Sequence, residues 1–197
     1  MLKHMLTTRC PRRCKYCITR NIKADDCNHL GAITEVYKEM VAQGHTQIMF
    51  TGGEPTSTTD FAFKLDLAYK HFDEVHMTTQ NRLMIDSTYR VMNDKYFTSI
   101  VYSLHDGITD EQVYLRETPV YGAILADQWY PRLPYELEAR GFSGLTINEE
   151  QRNGEPFKEN LPKIKGFSIR INRVGHCVNE TIILPNLQII TDFTPYL

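Results

Sequence analysis

Short apolar runs and amphipathic segments take turns along this chain. The runs Leu2–Thr8, "TQIMFTGG", "DEVHMTTQ", "TSIVYSLHDG", "PVYGAILAD" and "SGLTINEE" are rich in the β-branched and aromatic residues of strands. Between them, "ITEVYKEMVAQG" carries apolar residues at helical spacing and stops at Gly44. "TTDFAFKLDLAYKHF" predicts a second helix, with Thr and Asp as candidate N-caps. "IDSTYRVMNDKYF" predicts a less regular helix, and "LPYELEARG" a further one that ends at Gly141. "GITDEQVYLRE" fits a short helix or a loop.

After the first connection the strand starts recur about every 23 to 28 residues, the period of a βα unit. Strands that alternate with helices predict a parallel sheet. Six units are legible from Leu2 to Glu149, whereas a closed eight-unit barrel takes about 250 residues. The expected fold is therefore α/β, an open partial (β/α)6 TIM-like barrel over residues 1–150. Residues 151–197 break the period. "FSIRINRVG", "ETIILPN" and "LQIITDF" predict three strands with no helix between them, an antiparallel extension of the sheet edge or a cover for the barrel mouth.

Composition narrows the class without naming a chemistry. With 42% hydrophobic and 23% charged residues, the chain belongs with ordinary globular proteins. It has no apolar run of the length that a transmembrane helix needs. The first residues do not form a secretory signal, so a cytoplasmic location is expected. A net charge of -2 offers no global attraction for nucleic acid or a membrane surface. Locally, Arg9, Arg12, Arg13, Lys15, Arg20 and Lys23 make one loop basic, either as a solvated loop or as a rim for an anionic ligand or cluster.

That loop holds the clearest candidate chemistry. Cys10, Cys14 and Cys17 are spaced C-x3-C-x2-C directly after the first strand; Cys27 and Cys177 complete the five cysteines. Clustered thiols in a cytoplasmic protein point to metal or redox chemistry rather than disulfides. Three thiolates suit zinc or an iron–sulfur cluster. A cubane on three cysteines leaves one iron open, unless Cys27 or His29 supplies a fourth ligand. Otherwise Cys27 is a loop thiol and Cys177 a small buried hydrophobe.

In such folds the reactive end lies at the C-terminal ends of the strands. The second strand exits there into "TGGEPT", the third into "TTQN", the fourth into "SLHDG", the fifth into "ADQW" and the sixth into "NEEQ". Gly52 and Gly53 permit close backbone approach, Glu54 offers a carboxylate to an ammonium group, and Pro55 stiffens the exit.

C-x3-C-x2-C after the first strand, with Gly-Gly-Glu-Pro after the second, resembles the radical S-adenosylmethionine (SAM) enzymes from about residue 3 to about residue 150. "LTTRCPRRCKYC" is similar to the start of the peptide-modifying and molybdopterin-type branches, and "YSLHDG" to their "SLDG". The resemblance implies one [4Fe–4S] cluster on Cys10, Cys14 and Cys17, with the amino and carboxylate groups of SAM on the fourth iron. Reductive cleavage of SAM would then yield methionine and a 5′-deoxyadenosyl radical that abstracts hydrogen from substrate. It further implies that Gly52, Gly53 and Glu54 receive the methionine ammonium and that the backbone at Tyr16 meets adenine. Ser103 would lie near the methionine carboxylate or ribose. Thr79 stands where the family often has "TNG"; this chain departs from that with "TQN". Asn148 and Glu149 are candidates for adenine or substrate. An oxygen-sensitive enzyme served by a flavodoxin- or ferredoxin-type electron donor is implied as well. With only Cys27 and Cys177 left over, a second cubane is not expected.

Substrate candidates at strand ends are His105, Asp106 and Asp127; Arg116, Arg170, Arg173 and His176 are further candidates, and Tyr102 and Trp129 are possible ring-stacking partners. Three readings compete. The first is a radical SAM enzyme acting on a small molecule or nucleotide, favoured because the tail has the strand character and length to cover the mouth. The second acts on a peptide or protein, glycyl-radical activases included. The third is a non-catalytic zinc-binding module built from Cys10, Cys14 and Cys17 with Cys27 or His29.

Overall fold

The computed structural model describes residues 1–12, 14, 17–104, 112–148, 160–172 and 180–191. The chain divides into two compact units, one of residues 1–79, 96–98 and 177–197, the other of residues 80–95 and 99–176.

The first unit contains β1 (Leu2–Met5), α1 (Leu30–Ala42), β2 (Gln47–Thr51), α2 (Phe61–His71) and β3 (Glu74–Thr79). β1 pairs in parallel with β2, and β2 with β3, so that Leu2, Ile48 and Val75 form one row and His4, Phe50 and Met77 another. These rows are buried, with Tyr37 of α1 packed against His4 and Phe61 of α2 against Phe50. Lys3, Met49 and His76 alternate to the other face and are half-buried. Met5 on that second face is buried as well, among Ile22, Ile182 and Leu184.

α1 buries Ile33, Tyr37 and Met40 at helical spacing. It stops where Gly44 takes φ +92°, a conformation that an L side chain resists. Tyr37 packs edge-on against Phe72, with ring centroids 5.2 Å apart, and its hydroxyl lies 2.8 Å from Nδ1 of the buried His4. Burial, reinforced by the ammonium of Lys64, pushes the His4 imidazole down to about 3, so it is neutral in the fold. α2 begins differently from expectation. Asp60 occupies the N-cap position but adopts φ 58°, and its side chain makes no capping bond. Asp tolerates this left-handed conformation better than a bulky residue would.

The second unit contains most of α3 (Arg90–Tyr96), with β4 (Ser99–Ser103), β5 (Val120–Leu125), α4 (Leu133–Ala139), β6 (Gly144–Asn148) and β7 (Ser168–Asn172). Its strands run in the order β4-β5-β6-β7, all parallel. Ile100, Tyr102, Ile124, Leu145 and Ile147 alternate onto one buried face, where Leu133 and Leu137 of α4 are also sealed. Asp94 fastens the approach to β5. Its carboxylate accepts backbone N–H groups from Arg116, Glu117 and Thr118 at 3.1–3.3 Å.

The α/β class and the parallel pairing follow the predicted alternation. The tail does not follow the antiparallel expectation. β7 pairs in parallel with β6, and β8 (Ile182–Ile183) in parallel with β1. The segment from Asn148 to Ser168 is long enough for the crossover that parallel pairing requires. Among the described tail strands only β9 (Ile189–Ile190) pairs antiparallel, because a tight turn returns it directly onto β8. That turn is closed by Leu184 N–H donating to the Gln188 carbonyl at 2.8 Å, with Leu187 at φ 67°. In the first unit the order is therefore β3-β2-β1-β8-β9. Among the described residues no helix is long and apolar enough to cross a membrane.

Candidate functional site

The loops after β1 and β2 are bonded to each other. Leu6 N–H donates to Thr51 O at 3.1 Å, Gly53 N–H to Thr7 O at 2.8 Å, and Glu54 N–H to Arg9 O at 2.8 Å. The ladder between the two strands therefore continues to the residue before Cys10. This contact explains the two glycines. A Cβ on Gly52 would lie 2.4 Å from Thr7 O, and one on Gly53 would lie 2.1 Å from Arg9 O. Their first role is to let the cysteine loop seat against the second turn, before any ligand is considered.

Glu54 is 3% exposed. Its Oε1 accepts from Thr56 N–H at 3.2 Å, Thr56 Oγ1 at 2.8 Å and Thr79 Oγ1 at 2.8 Å. Thr79, the last residue of β3, thus converges with Glu54, although its local sequence departs from the family's usual form. These donors orient a buried carboxylate at the strand ends.

The cysteine loop is tied at its neck. Asp26 accepts from Thr7 Oγ1 at 2.9 Å and from Arg9 Nε at 3.0 Å, and forms an ion pair with the Arg9 guanidinium. Thr7 Oγ1 in turn accepts Arg9 N–H at 3.0 Å. Arg9 is therefore engaged within the loop rather than a bare part of a basic rim. Lys64 of α2, 1% exposed, donates to Thr58 Oγ1 at 2.7 Å and to Asn28 Oδ1 at 3.2 Å. Burial lowers its ammonium below the ordinary lysine range, and Asp26, Cys27 and Asp60 oppose that shift. Sequence reading missed both Asp26 and Lys64. The signal for Lys64 was its place three residues after Phe61 and four before Ala68, on the apolar stripe of its helix.

The return leg of the loop lies against the tail. Ile22 packs with Met5, Ile182 and Leu184, and Ala24 and Ile190 flank that cluster. Cys27 N–H donates to Pro185 O at 2.7 Å.

Cys10, Cys14 and Cys17 are half-buried and not in disulfides. Burial raises the Cys14 thiol, and its neighbours Cys17 and Cys10 raise it further. Cys17 Sγ also lies 3.0 Å from Thr19 Oγ1. Among the described residues no three Cys, His, Asp or Glu side chains are grouped to hold a metal ion between them. Three thiols carried on one loop are a donor set that fits an iron–sulfur cluster. His29 does not join the thiols: its Nδ1 accepts Ala32 N–H at 3.0 Å and so caps α1.

The sequence of this chain matches the Radical SAM superfamily over residues 5–119. The chain belongs to the radical SAM superfamily. Membership implies SAM and an iron–sulfur cluster. Comparison with curated proteins finds no match. Among solved structures, Streptococcus suis SuiB bound to S-adenosylmethionine is similar, with a TM-score of 0.69 at 13% identity over 96% of this chain. SuiB bound to precursor peptide SuiA gives a TM-score of 0.68 at 13% identity, again over 96% of this chain. Identity this low speaks to fold alone, and that fold class is the open, mostly parallel partial barrel that the βα period predicts. The chain spans 59% of the length of SAM-bound SuiB and 58% of the SuiA-bound form.

In this radical SAM chain the remaining candidates divide. Ser103 shares a register row with Ala123, Thr146 and Arg170, on the face opposite the buried residues of β4–β6. Arg170 lies over the Tyr121 ring, 5.8 Å from its centroid. Asn148 donates to Ile124 O at 3.2 Å and accepts from Asn172 at 2.9 Å. Thr146 and Asn172 were missed, and only the strand register reveals them. Tyr102 instead faces the buried side against Phe142, so its role is packing. Asp127 is exposed in a short turn after β5, and Arg116 is exposed on the loop that Asp94 holds. Tyr16, His105, Asp106, Glu149, Arg173, His176 and Cys177 lie outside the described residues.

Proposed function

We propose that this chain is a radical SAM enzyme in which Cys10, Cys14 and Cys17 hold a [4Fe–4S] cluster with one iron open to SAM. The observation that carries the reading is the bonded joint between the cysteine loop and Gly53-Glu54, which puts a buried carboxylate beside the thiol-bearing loop. A cluster so held supplies the electron that cleaves SAM to methionine and a 5′-deoxyadenosyl radical, which takes hydrogen from the substrate. Glu54, oriented by Thr56 and Thr79, accepts the methionine ammonium, with Gly52 and Gly53 leaving room for it. The family resemblance further assigns Ser103 to the methionine carboxylate or ribose and the backbone at Tyr16 to adenine. A flavodoxin- or ferredoxin-type protein donates the electron.

For the substrate we favour a peptide. The reason to prefer a small molecule was a tail lying over the barrel mouth. The described tail strands extend the sheet edges instead, β8 beside β1 and β7 beside β6. A peptide is also what SuiB holds in one of its solved structures. Anaerobic reconstitution tests the whole reading. The wild type should be brown and form 5′-deoxyadenosine from SAM under dithionite, and Cys14→Ala should do neither. Deoxyadenosine formation by Cys14→Ala, or a colourless wild type with one tight zinc, would overturn the ligand assignment. Coupled turnover with a nucleotide or other small molecule, and none with peptides, would overturn the substrate class.

A further inference from the structure

The cysteine loop returns to α1 through Ile22–Asn28, and this leg has its own supports. On one side Ile22 is 4% exposed among Met5, Ile182 and Leu184, with Ala24 and Ile190 completing the contact. Cys27 N–H reaches across to Pro185 O at 2.7 Å. On the other side Asn28 is held by Lys64, and Asp26 crosses to Thr7 and Arg9. The β8–β9 hairpin is fastened in turn to β1. Lys3 N–H donates to Thr181 O at 3.0 Å, and the Lys3 ammonium pairs with Glu180. None of these contacts involves a cluster thiol, so none depends on iron.

We infer that the β8–β9 hairpin is a positioning element for the cluster: it holds the return leg of the cysteine loop in its metal-binding shape before iron arrives. This rests on the proposal that Cys10, Cys14 and Cys17 are the cluster ligands, and it assigns the tail a task other than covering substrate. The physical basis is preorganisation. A loop that must be ordered when metal binds loses backbone freedom at that moment, whereas a loop already pinned at both legs does not. Leu184 and Ile190 act through the loop and touch no reacting group; they are positioning residues.

Leu184→Ala opens the apolar contact under the return leg, and Leu145→Ala serves as a control, equally buried but in β6 of the second unit. In apo-protein, Leu184→Ala should speed hydrogen exchange at the Cys27 amide and iodoacetamide labelling of Cys10, Cys14 and Cys17 by about tenfold, as local opening predicts. The control should stay within about twofold on the same local readouts. After reconstitution, Leu184→Ala should also carry less iron per chain and broaden the low-temperature EPR signal of the reduced cluster. Equal acceleration in both variants, or none in either, would overturn the inference. Should Leu184→Ala fail to fold, Ile190→Ala, at a half-buried position, takes its place in the same comparison. The exchange contrast is read without metal. If the two variants show the contrast while the wild type binds no iron, the cluster assignment falls and the hairpin's hold on the loop stands.

Discussion

Thr79, at the end of β3, donates its hydroxyl to Oε1 of Glu54 across 2.8 Å, and both side chains are buried. The bond joins the exits of two strands through one carboxylate oxygen. Thr79→Val keeps the shape and removes the donor. Loss of a hydrogen bond to a charged group costs about 1.5–3 kcal/mol. We expect SAM affinity, measured by equilibrium dialysis on reconstituted protein, to fall about tenfold, the equivalent of about 1.4 kcal/mol. Unchanged affinity would mean that Glu54 needs no help from Thr79.

Gly53 and Gly166 should respond differently to the same methyl group. A Cβ on Gly53 would fall 2.1 Å from Arg9 O, a backbone atom that cannot step aside. Gly53→Ala should therefore cost about 2–3 kcal/mol in urea unfolding, as overpacking does, and should also reduce iron uptake. Gly166 has φ +80° with nothing within 4 Å of the added atom. Gly166→Ala should cost only about 1 kcal/mol, the price of the left-handed backbone, and should leave iron uptake alone. Equal losses would refute the close-approach explanation.

Acid should find His4 first. Burial and the Lys64 ammonium lower its imidazole to about 3, against about 6.5 in an unfolded chain. The unfolded state then takes up a proton that the folded state refuses. The contribution to stability is complete above pH about 6.5 and is lost as pH falls from there toward about 3. Between pH 7 and pH 5 the loss should be about 2 kcal/mol from this group. His4→Phe, compared with wild type by urea unfolding at both pH values, should lack that component. It should also be less stable at pH 7, because the Tyr37 hydroxyl loses its partner.

Asp94 should shape the lower end of the same curve. Partial burial works against its charge, but the backbone N–H groups of Thr118, Arg116 and Glu117 outweigh burial and hold the carboxyl below its ordinary value. Its contribution is present above the unfolded value of about 3.9 and disappears as pH falls through the lower folded value. Asp94→Ala should lower stability at pH 7 by about 1.5–3 kcal/mol, measured by thermal unfolding, with the difference from wild type shrinking as pH falls below the ordinary carboxylate value.

The βα rhythm, the parallel pairing and the two motifs that meet in the joint were legible, because each is a local pattern. Gly44 and Gly141 announced helix ends, and both take positive φ. What stayed hidden depends on neighbours far along the chain. A two-residue strand such as Ile182–Ile183 carries no sign of its partner, so its pairing with β1 could not be read. The aspartate expected to cap α2 leaves its side chain out of the cap. His29, considered as a metal ligand, caps α1 instead. Lys64 drew no reading from the sequence, yet it is 1% exposed and its ammonium serves Thr58 and Asn28. In each case tertiary context decided between roles that composition left equal.

The ion pair between Lys3 and Glu180 joins residues 177 positions apart. Its consequence concerns order in time. A ribosome has long finished the three clustered cysteines before it makes the strand that lies beside β1. Until then the strand that launches the cysteine loop has an open edge, and the loop's return leg has nothing beneath it. On the inference drawn above, iron delivered to a nascent chain would meet a half-built cradle.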